Sequence, residues 1–167
     1  MSTNAKPEAA TRETTIEADP DLPTIRIIRD FDAPREKVFR AWIEPELVAQ
    51  WLGPKSSEIR IDEWNAHTGG NYHYASVANG EEVAAFYGSF HEVRPSERLV
   101  QTFTWEGMPD GVSLETMTFE DIGDGRTRTI GLSLVDNLQA RDAIMASGMD
   151  HGVIEGYEKL DALLAQG

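Results

Sequence analysis

The chain has 167 residues, a length that suits one domain with a sizeable apolar core. Its 29 acidic and 15 basic residues give a net charge of −14, which disfavours binding to nucleic acid or to an anionic membrane. The absence of cysteine excludes disulfides, thiolate catalysis and cysteine-ligated metals. No apolar run approaches the roughly 18 residues of a membrane span, and the N-terminus lacks an apolar signal core. We therefore expect a cytoplasmic protein.

The first part of the chain predicts a tail followed by one strand. Residues 1–20 are polar and show no apolar periodicity, which is typical of a flexible tail, with one short ordered piece near Ile16. The remaining residues, 21–167, are predicted to form a single domain. This domain begins with a β-branched stretch over residues 24–31 that predicts a strand. If the apolar residues of this strand face the core, Arg29 does too, and its charge then needs a partner or a position at a rim.

Two short helices are predicted within residues 32–54. Asp32 or Ala33 is the expected N-cap of the first helix, because Pro34 suits a first helical turn. Pro45 ends this helix and begins the second, which stops at a Gly-Pro pair. The apolar residues recur at helical spacing: Val38, Ala41, Trp42, Leu47, Val48 and Trp51.

From residue 56 to residue 135 the apolar pattern changes to a period of two. The turns in this region are short and rich in glycine, proline, asparagine and aspartate, which indicates antiparallel hairpins. Six strands are predicted, near residues 57–65, 70–77, 83–93, 98–105, 112–120 and 126–135. With the first strand they predict a seven-stranded antiparallel sheet that buries one face against helices.

A long helix is predicted over about residues 138–165. Its apolar stripe comprises Leu138, Met145, Met149, Val153, Leu160 and Leu163 or Leu164. Gly148, Gly152 and Gly156 lie at a spacing of four and form a strip without side chains, although each mid-helix glycine costs about 1 kcal/mol relative to alanine. Two explanations remain open. Either a neighbouring element approaches the helix closely at this strip, or the missing side chains leave a pocket between the helix and the sheet.

Four stretches of the sequence resemble a known family. They are similar to bacterial proteins related to the C-terminal domain of the activator of the ninety-kilodalton heat-shock protein ATPase. These proteins lie within the helix-grip superfamily of the birch pollen allergen and the StAR-related lipid-transfer proteins. Together with the matching order of elements, the resemblance covers roughly residues 24–165. The stretches are RDFDAPREKVFRAWIEPELVAQWLGP (29–54), GGNYHYAS (69–76), YGSFHEVRPSERLVQTFTWEG (87–107) and SGMDHGVIEGYEKLDALL (147–164).

The resemblance implies an α+β helix-grip fold. In this fold a seven-stranded curved antiparallel sheet wraps around a long C-terminal helix, and two short helices lie between strands 1 and 2. The resemblance also implies a deep cavity between the sheet and the long helix, often suited to an apolar ligand. Members of the superfamily include carriers, co-chaperone domains and a few enzymes, so the resemblance does not imply one activity.

Small-molecule sites are usually apolar with a few placed polar groups, and the sequence offers candidates of both kinds. The apolar candidates for lining the cavity are Trp42, Trp51, Tyr72, Tyr74, Phe90, Phe103, Trp105, Met117, Met145 and Met149, together with Gly152. The polar candidates are Arg29, Tyr87, Gln101 and Glu115. Strand alternation puts Tyr72 and Tyr74 on one face, and likewise Phe103 and Trp105. A filled core is the alternative interpretation for each of these residues.

The sequence contains no pattern typical of a catalytic, metal or cofactor site. Its histidines occur without HxH or HExxH spacing, there is no GxSxG elbow, and no glycine-rich phosphate loop precedes a helix. We therefore expect no metal, no cofactor and no catalytic residues. The four histidines are His67, His73, His91 and His151.

Three functional hypotheses follow. The first is a binding protein for a small apolar or amphipathic molecule. The second is a protein-interaction domain that acts on a chaperone or another protein through its acidic surface, with binding sensitive to salt. The third is an enzyme that uses His73, His91 or Glu115 within the cavity. A homodimer through a sheet edge or a helix is left open.

Overall fold

The sheet of this protein has eight antiparallel strands, as seen in a computed structural model that describes residues 13–166. Seven of them match the predicted strands, and the eighth, β1, lies in the segment where one ordered piece near Ile16 was expected. The predicted tail residues 1–12 and the final Gly167 lie outside the described residues. The spatial order is β1-β2-β8-β7-β6-β5-β4-β3. The strands are β1 Thr15–Ala18, β2 Thr24–Phe31, β3 Glu58–Trp64, β4 Asn71–Ala78, β5 Glu81–Arg94, β6 Arg98–Trp105, β7 Ser113–Gly123 and β8 Arg126–Leu134.

Four helices complete the fold. Helices α1 (Arg35–Ile43) and α2 (Pro45–Trp51) connect β2 to β3, while α3 (Leu138–Ala146) and α4 (Met149–Leu164) follow β8. Pro45 is the first residue of α2 as predicted, whereas Pro34 occupies the N-cap position before α1. Among the described residues, no helix is long and apolar enough to cross a bilayer.

The prediction of one unbroken helix over residues 138–165 is wrong, because the chain breaks between Ala146 and Met149. Gly148 has a φ of 89°, in the left-handed region that glycine adopts without steric strain. The backbone N–H of Ser147 still bonds to the carbonyl of Ile144, so the last turn of α3 is closed before the break. Gly148 is therefore the residue that ends α3 and redirects the chain into α4.

One face of the sheet, called here the inner face, packs against α1, α2 and α4. Phe31, Leu99 and Phe119 of the sheet are buried against Tyr157 and Leu160 of α4. Val38, Phe39 and Ala41 of α1 are buried in the same cluster. Because these residues come from both ends of the chain, this core fixes the C-terminal helix across the sheet.

Two glycines of the strip, Gly152 and Gly156, face the end of α2 and the residues that follow it. A Cβ atom on Gly156 would lie 3.0 Å from the carbonyl oxygen of Trp51 and 3.4 Å from that of Gly53. A Cβ atom on Gly152 would lie 3.6 Å from Cδ of Pro54, an ordinary contact. The close-approach explanation therefore holds for Gly156, with Gly152 at the edge of the same contact.

A buried ion pair joins the sheet to α4. Arg29 of β2 is only 4% exposed, and its two terminal nitrogens donate hydrogen bonds of 2.8 and 2.6 Å to the carboxylate of Asp161. The partner required for an inward-facing Arg29 is thus supplied by the C-terminal helix.

Candidate functional site

A group of six aromatic residues, called here the aromatic wall, covers the inner face of strands β3 to β6. Tyr72, Tyr74 and Phe90 form its buried part. Trp64, Phe86 and Phe103 pack against them and stay half-buried. Ring centroids lie 5.1 Å apart for Tyr74 and Phe86, and 5.3 Å apart for Phe86 and Phe103. Alternation therefore predicted correctly that Tyr72 and Tyr74 share a face.

Exposure on the inner face increases along β6. Leu99 is 1% exposed, Gln101 and Phe103 are half-buried, and Trp105 is 47% exposed. Trp105 belongs to this face because it pairs directly with Phe86 in the ladder. The inner face is thus closed beneath the helices and increasingly accessible towards the end of β6.

The neighbouring strand β7 shows a similar change. Phe119 is 2% exposed, while Met117 and Glu115, two and four residues earlier on the same face, are half-buried. Gln101 of β6 and Glu115 of β7 lie directly opposite each other in the ladder. We call this region the open end of the inner face, and define it by Phe86, Gln101, Phe103, Trp105 and Glu115.

Glu115 is the ionisable group of the open end. The Ser113 hydroxyl donates to its Oε2 at 2.5 Å and the Ser133 hydroxyl donates to its Oε1 at 2.7 Å. No lysine, arginine or histidine of residues 13–166 makes an ion pair with this carboxyl group. Burial raises the pKa of Glu115, and the two serine hydrogen bonds offset only part of that effect.

The charge of this carboxyl group affects three tyrosines. Burial is the main reason why the pKa values of Tyr72, Tyr74 and Tyr157 are raised, and the negative charge of Glu115 adds to the effect in all three. The rings of two strand residues and one helix residue therefore lie near enough to Glu115 to respond to its charge. The Tyr72 hydroxyl donates to the carbonyl of Thr102 at 2.6 Å.

The other two hydroxyls have no such partner. Tyr74 is 8% exposed and Tyr157 is 5% exposed, yet within residues 13–166 neither hydroxyl makes a hydrogen bond. In that part of the chain, two side-chain nitrogen or oxygen atoms are fully enclosed and lack a hydrogen-bond partner. They are Nε of Arg29 and Nε of Arg98. The Tyr74 and Tyr157 hydroxyls are therefore not fully enclosed, and each keeps some accessible surface.

Gly88 makes room for the Tyr72 hydroxyl. A Cβ atom at position 88 would lie 2.7 Å from this hydroxyl and 2.0 Å from the carbonyl oxygen of Thr102. Any larger residue would therefore displace the hydrogen bond between Tyr72 and Thr102.

Several site residues predicted from the sequence share the inner face as expected. The structure brings these residues to that face: Tyr72, Tyr74, Phe90, Gln101, Phe103, Trp105, Glu115 and Met117. Met145 of α3 and Met149, the first residue of α4, are half-buried.

Other predicted lining residues lie elsewhere. Trp42 and Trp51 belong to the filled core, with ring centroids 4.7 Å apart, and the Trp51 indole N–H donates to the carbonyl of Ala41. Arg29 is bound by Asp161 and by the carbonyl of Asp30. Their side chains are occupied by structural contacts, which the aromatic and charged character of the sequence alone did not reveal.

Two further candidates, Tyr87 and Gly152, do not lie among the residues of the open end. Tyr87 is 39% exposed on the outer face, since strand alternation sends it away from its inward-facing neighbours Phe86 and Gly88. Gly152 lies against Pro54, beyond the end of α2.

Some residues of the open end were missed. Ser113 and Ser133 hold Glu115, and Tyr157 of α4 lies near enough to respond to its charge. Strand alternation could have predicted the contact with Ser113, because residues two apart on one strand share a face and Ser113 lies two residues before Glu115. The approach of Ser133 depends on the pairing of β7 with β8, which the sequence pattern does not specify.

The histidines lie away from the inner face. His73 occupies the outer side of β4, where Nδ1 lies 2.7 Å from Asp62 and Nε2 lies 2.6 Å from Glu106. The hydrogen bond with Glu106 is the largest cause of a raised pKa for His73. Among the described residues no group of three or more histidine and acidic side chains could hold a metal ion.

A separate open groove of about 450 Å³ lies between α1 and two loops. Phe39, Ile43 and Val93 supply apolar walls, and Arg40 and His67 are among the polar residues around them. None of the residues predicted as site residues lines this groove. It lacks the converging carboxyl and tyrosine groups found at the open end.

The order of these elements defines the class of protein. An open antiparallel sheet with two short helices after its second strand and a long terminal helix across one face is an α+β helix-grip fold. The sequence profile of the family described as activator of Hsp90 ATPase homolog 1-like protein matches residues 32–165, and this chain belongs to that family. No curated protein matches the chain.

Solved bacterial structures share the fold over nearly their whole length. A protein from Rhodobacter sphaeroides is 24% identical, with a TM-score of 0.83, and the match covers 93% of this chain and 100% of the other. A protein from Chromobacterium violaceum is 30% identical, with a TM-score of 0.74 and coverage of 85% and 96%. The AHSA1 protein from Silicibacter pomeroyi is 21% identical, with a TM-score of 0.70 and coverage of 86% and 98%.

Proposed function

We propose that this chain binds a small apolar or amphipathic molecule at the open end of the inner face, between the sheet and the C-terminal helices. The fold of its family is commonly a ligand-binding fold. The observation that carries the proposal is the exposure gradient along β6, from 1% at Leu99 to 47% at Trp105.

A filled core does not account for this gradient. Each Å² of apolar surface left in water forgoes about 25 cal/mol of stabilisation, so a core made only for stability would cover Phe86, Phe103 and Trp105. Contiguous exposed apolar surface on an otherwise folded protein is typical of a binding site. An apolar ligand lying on these rings would complete their burial.

Polar groups at the same place support an amphipathic rather than a purely apolar ligand. Glu115 and the unpartnered hydroxyls of Tyr74 and Tyr157 supply hydrogen-bonding atoms beside the aromatic wall. This combination of an apolar wall with a few polar groups matches the general composition of small-molecule sites.

The proposal can be tested with N-phenyl-1-naphthylamine, a neutral apolar dye that fluoresces more strongly out of water. We expect a saturable fluorescence increase with one dye bound per chain, competed by other apolar molecules. Dye present at 100 times its dissociation constant should add about 2.7 kcal/mol to the free energy of unfolding.

A pair of tryptophan substitutions locates the site. Gln101→Trp fills the open end and should weaken dye binding about tenfold, or about 1.4 kcal/mol. Thr116→Trp, on the outer face of the adjacent strand, is the control and should bind dye like the wild type. The absence of saturable binding to the wild type, or equal weakening by both substitutions, would contradict the proposal.

A further inference from the structure

We propose that the ligand of the open end is an organic cation, with a protonated nitrogen on an apolar or aromatic body. This inference rests on the proposed function and specifies the chemistry of its ligand.

The first argument is the missing counter-charge of Glu115. Each of its carboxylate oxygens accepts one serine hydroxyl, from Ser113 and Ser133, but no basic side chain of residues 13–166 pairs with it. The buried basic residue of the core, Arg29, is already held by both oxygens of Asp161. A carboxylate removed from water without a cation is unfavourable, so a cationic ligand would supply what the protein lacks.

The second argument is the surface beside Glu115. Phe103 is half-buried and Trp105 is 47% exposed, so these two residues present aromatic surface to solvent, and such surface attracts ammonium and guanidinium groups. The Tyr74 and Tyr157 hydroxyls, which have no hydrogen-bond partner in the described part of the chain, can accept from an N–H group. Both tyrosines are more than nine-tenths buried.

The third argument is the negative electrostatic potential that the net charge of the chain produces. A net charge of −14 raises the local concentration of cations and repels anions. A fatty acid or another carboxylate ligand would add a second negative charge next to Glu115. The open end therefore selects against anionic amphiphiles, although its aromatic wall suits their apolar parts.

The test uses three ligands with one aromatic body and different charges: 2-naphthylmethylamine, 2-naphthylmethanol and 2-naphthoate. Dissociation constants are measured by calorimetry at pH 7.5 with the full chain. Because a hydrogen bond to a charged group is stronger than one between neutral groups, we expect the amine to bind at least about tenfold more tightly than the alcohol. The carboxylate should bind most weakly.

Two substitutions on β7 attribute the preference to one residue. Glu115→Gln keeps the shape of the side chain and removes its charge, so it should abolish the advantage of the amine over the alcohol. Glu120→Gln makes the same change at an exposed position of the same strand, and it should preserve the advantage. The wild-type ligand series remains decisive if Glu115→Gln does not fold.

The outcomes separate this inference from the proposed function. If the alcohol binds as tightly as the amine, if the carboxylate binds best, or if the Glu115→Gln variant still prefers the amine, the cation inference is wrong and the binding site stands. If neither the three naphthyl compounds nor the neutral dye bind the wild type, the inference and the proposed function fail together.

Discussion

Glu115 is the residue at which the packing and the chemistry of this protein conflict. Its neighbours on the inner face are mostly apolar or aromatic, and they remove its carboxyl group from water without supplying a cation. The hydroxyls of Ser113 and Ser133 compensate in part by donating to its two oxygens. A buried group of this kind lowers stability when it is ionised, and residues with that property are frequent at functional sites.

The stability cost of Glu115 depends on pH in a defined direction. Because its pKa is raised in the folded state, the folded protein holds this proton to higher pH than the unfolded chain does. The contribution of Glu115 to stability is therefore full below its ordinary pKa of 4.5 and is lost as the pH rises through the raised value. Glutamine does not titrate, so we expect Glu115→Gln to gain stability relative to wild type over that interval.

Urea unfolding between pH 4 and pH 8, followed by tryptophan fluorescence, measures this difference. Dilute protein is needed because the chain carries little net charge near its isoelectric point of about 4.6. The Glu120→Gln variant is the control on the same strand. A stability difference between Glu115→Gln and wild type that is constant across this pH range would show that Glu115 titrates alike in both states.

At the scale of elements, the C-terminal helices show how glycines in one repeated pattern can have unrelated roles. Gly148 ends α3 through a left-handed backbone conformation. Gly156 lets the backbone of α4 approach the end of α2, and Gly152 lies at the margin of that contact. The spacing of four accounts for the contact with α2, and the break at Gly148 has a separate, local cause.

Three alanine substitutions should therefore give different results. Gly152→Ala should stabilise the protein by about 0.5–1 kcal/mol, since the new methyl group makes only an ordinary contact and alanine favours helix. Gly156→Ala should be less stable than Gly152→Ala by about 1–3 kcal/mol, because its methyl group meets the rigid carbonyl of Trp51. Gly148→Ala should destabilise by about 1–2 kcal/mol through backbone strain alone.

Urea midpoints of the three variants check this order. The informative comparison is between Gly152 and Gly156, which lie one turn apart on the same helix with the same substitution. Equal effects at these two positions would mean that α4 does not approach α2 as closely as the structure describes.

At the scale of the whole molecule, α4 is held to the sheet by a shared core and by one buried ion pair. The core joins residues from β2, β6 and β7 to residues of α1, α2 and α4. Arg29 and Asp161 add a directional connection between elements 132 residues apart in the sequence. The core and the ion pair therefore close the inner face at this end.

Removing one partner of this pair should destabilise the whole fold. Asp161→Asn leaves the charge of Arg29 buried without its counter-ion, and we expect a loss near the lower end of about 3–5 kcal/mol, because Asp161 keeps 30% exposure. The double variant with Arg29→Met removes the buried charge as well and should recover much of that loss.

An exposed ion pair on the same helix provides the control. Glu158→Gln breaks the contact between Glu158 and Lys55, which are both about half exposed, and should have little effect. Chemical denaturation of all variants gives the comparison. A loss at Asp161→Asn no larger than that at Glu158→Gln would contradict the assigned role of the buried pair.

Much of the fold followed from local patterns, because the period of apolar residues and the turn chemistry act over a few residues. The predicted strand at 24–31 has the observed bounds, and Pro45 begins α2 as predicted. The break at Gly148 was missed because apolar spacing continues through it, and only its backbone conformation distinguishes it from Gly152. β1 was not predicted as a strand of the sheet because a four-residue segment carries little periodic signal.

The sequence by itself determined the order of seven strands, the shared face of Tyr72 and Tyr74 and that of Phe103 and Trp105, and the presence of polar groups among aromatic ones. Tertiary structure decided which of those groups are free to meet a ligand. Arg29 and Trp51 have the chemistry of a binding site but are engaged by Asp161 and Ala41, whereas Glu115 is held by Ser113 and Ser133 without a counter-charge. The physical reason is that Asp161 and Ser133 belong to other elements than the residues they bind, and their approach depends on helix docking and strand pairing rather than on local spacing.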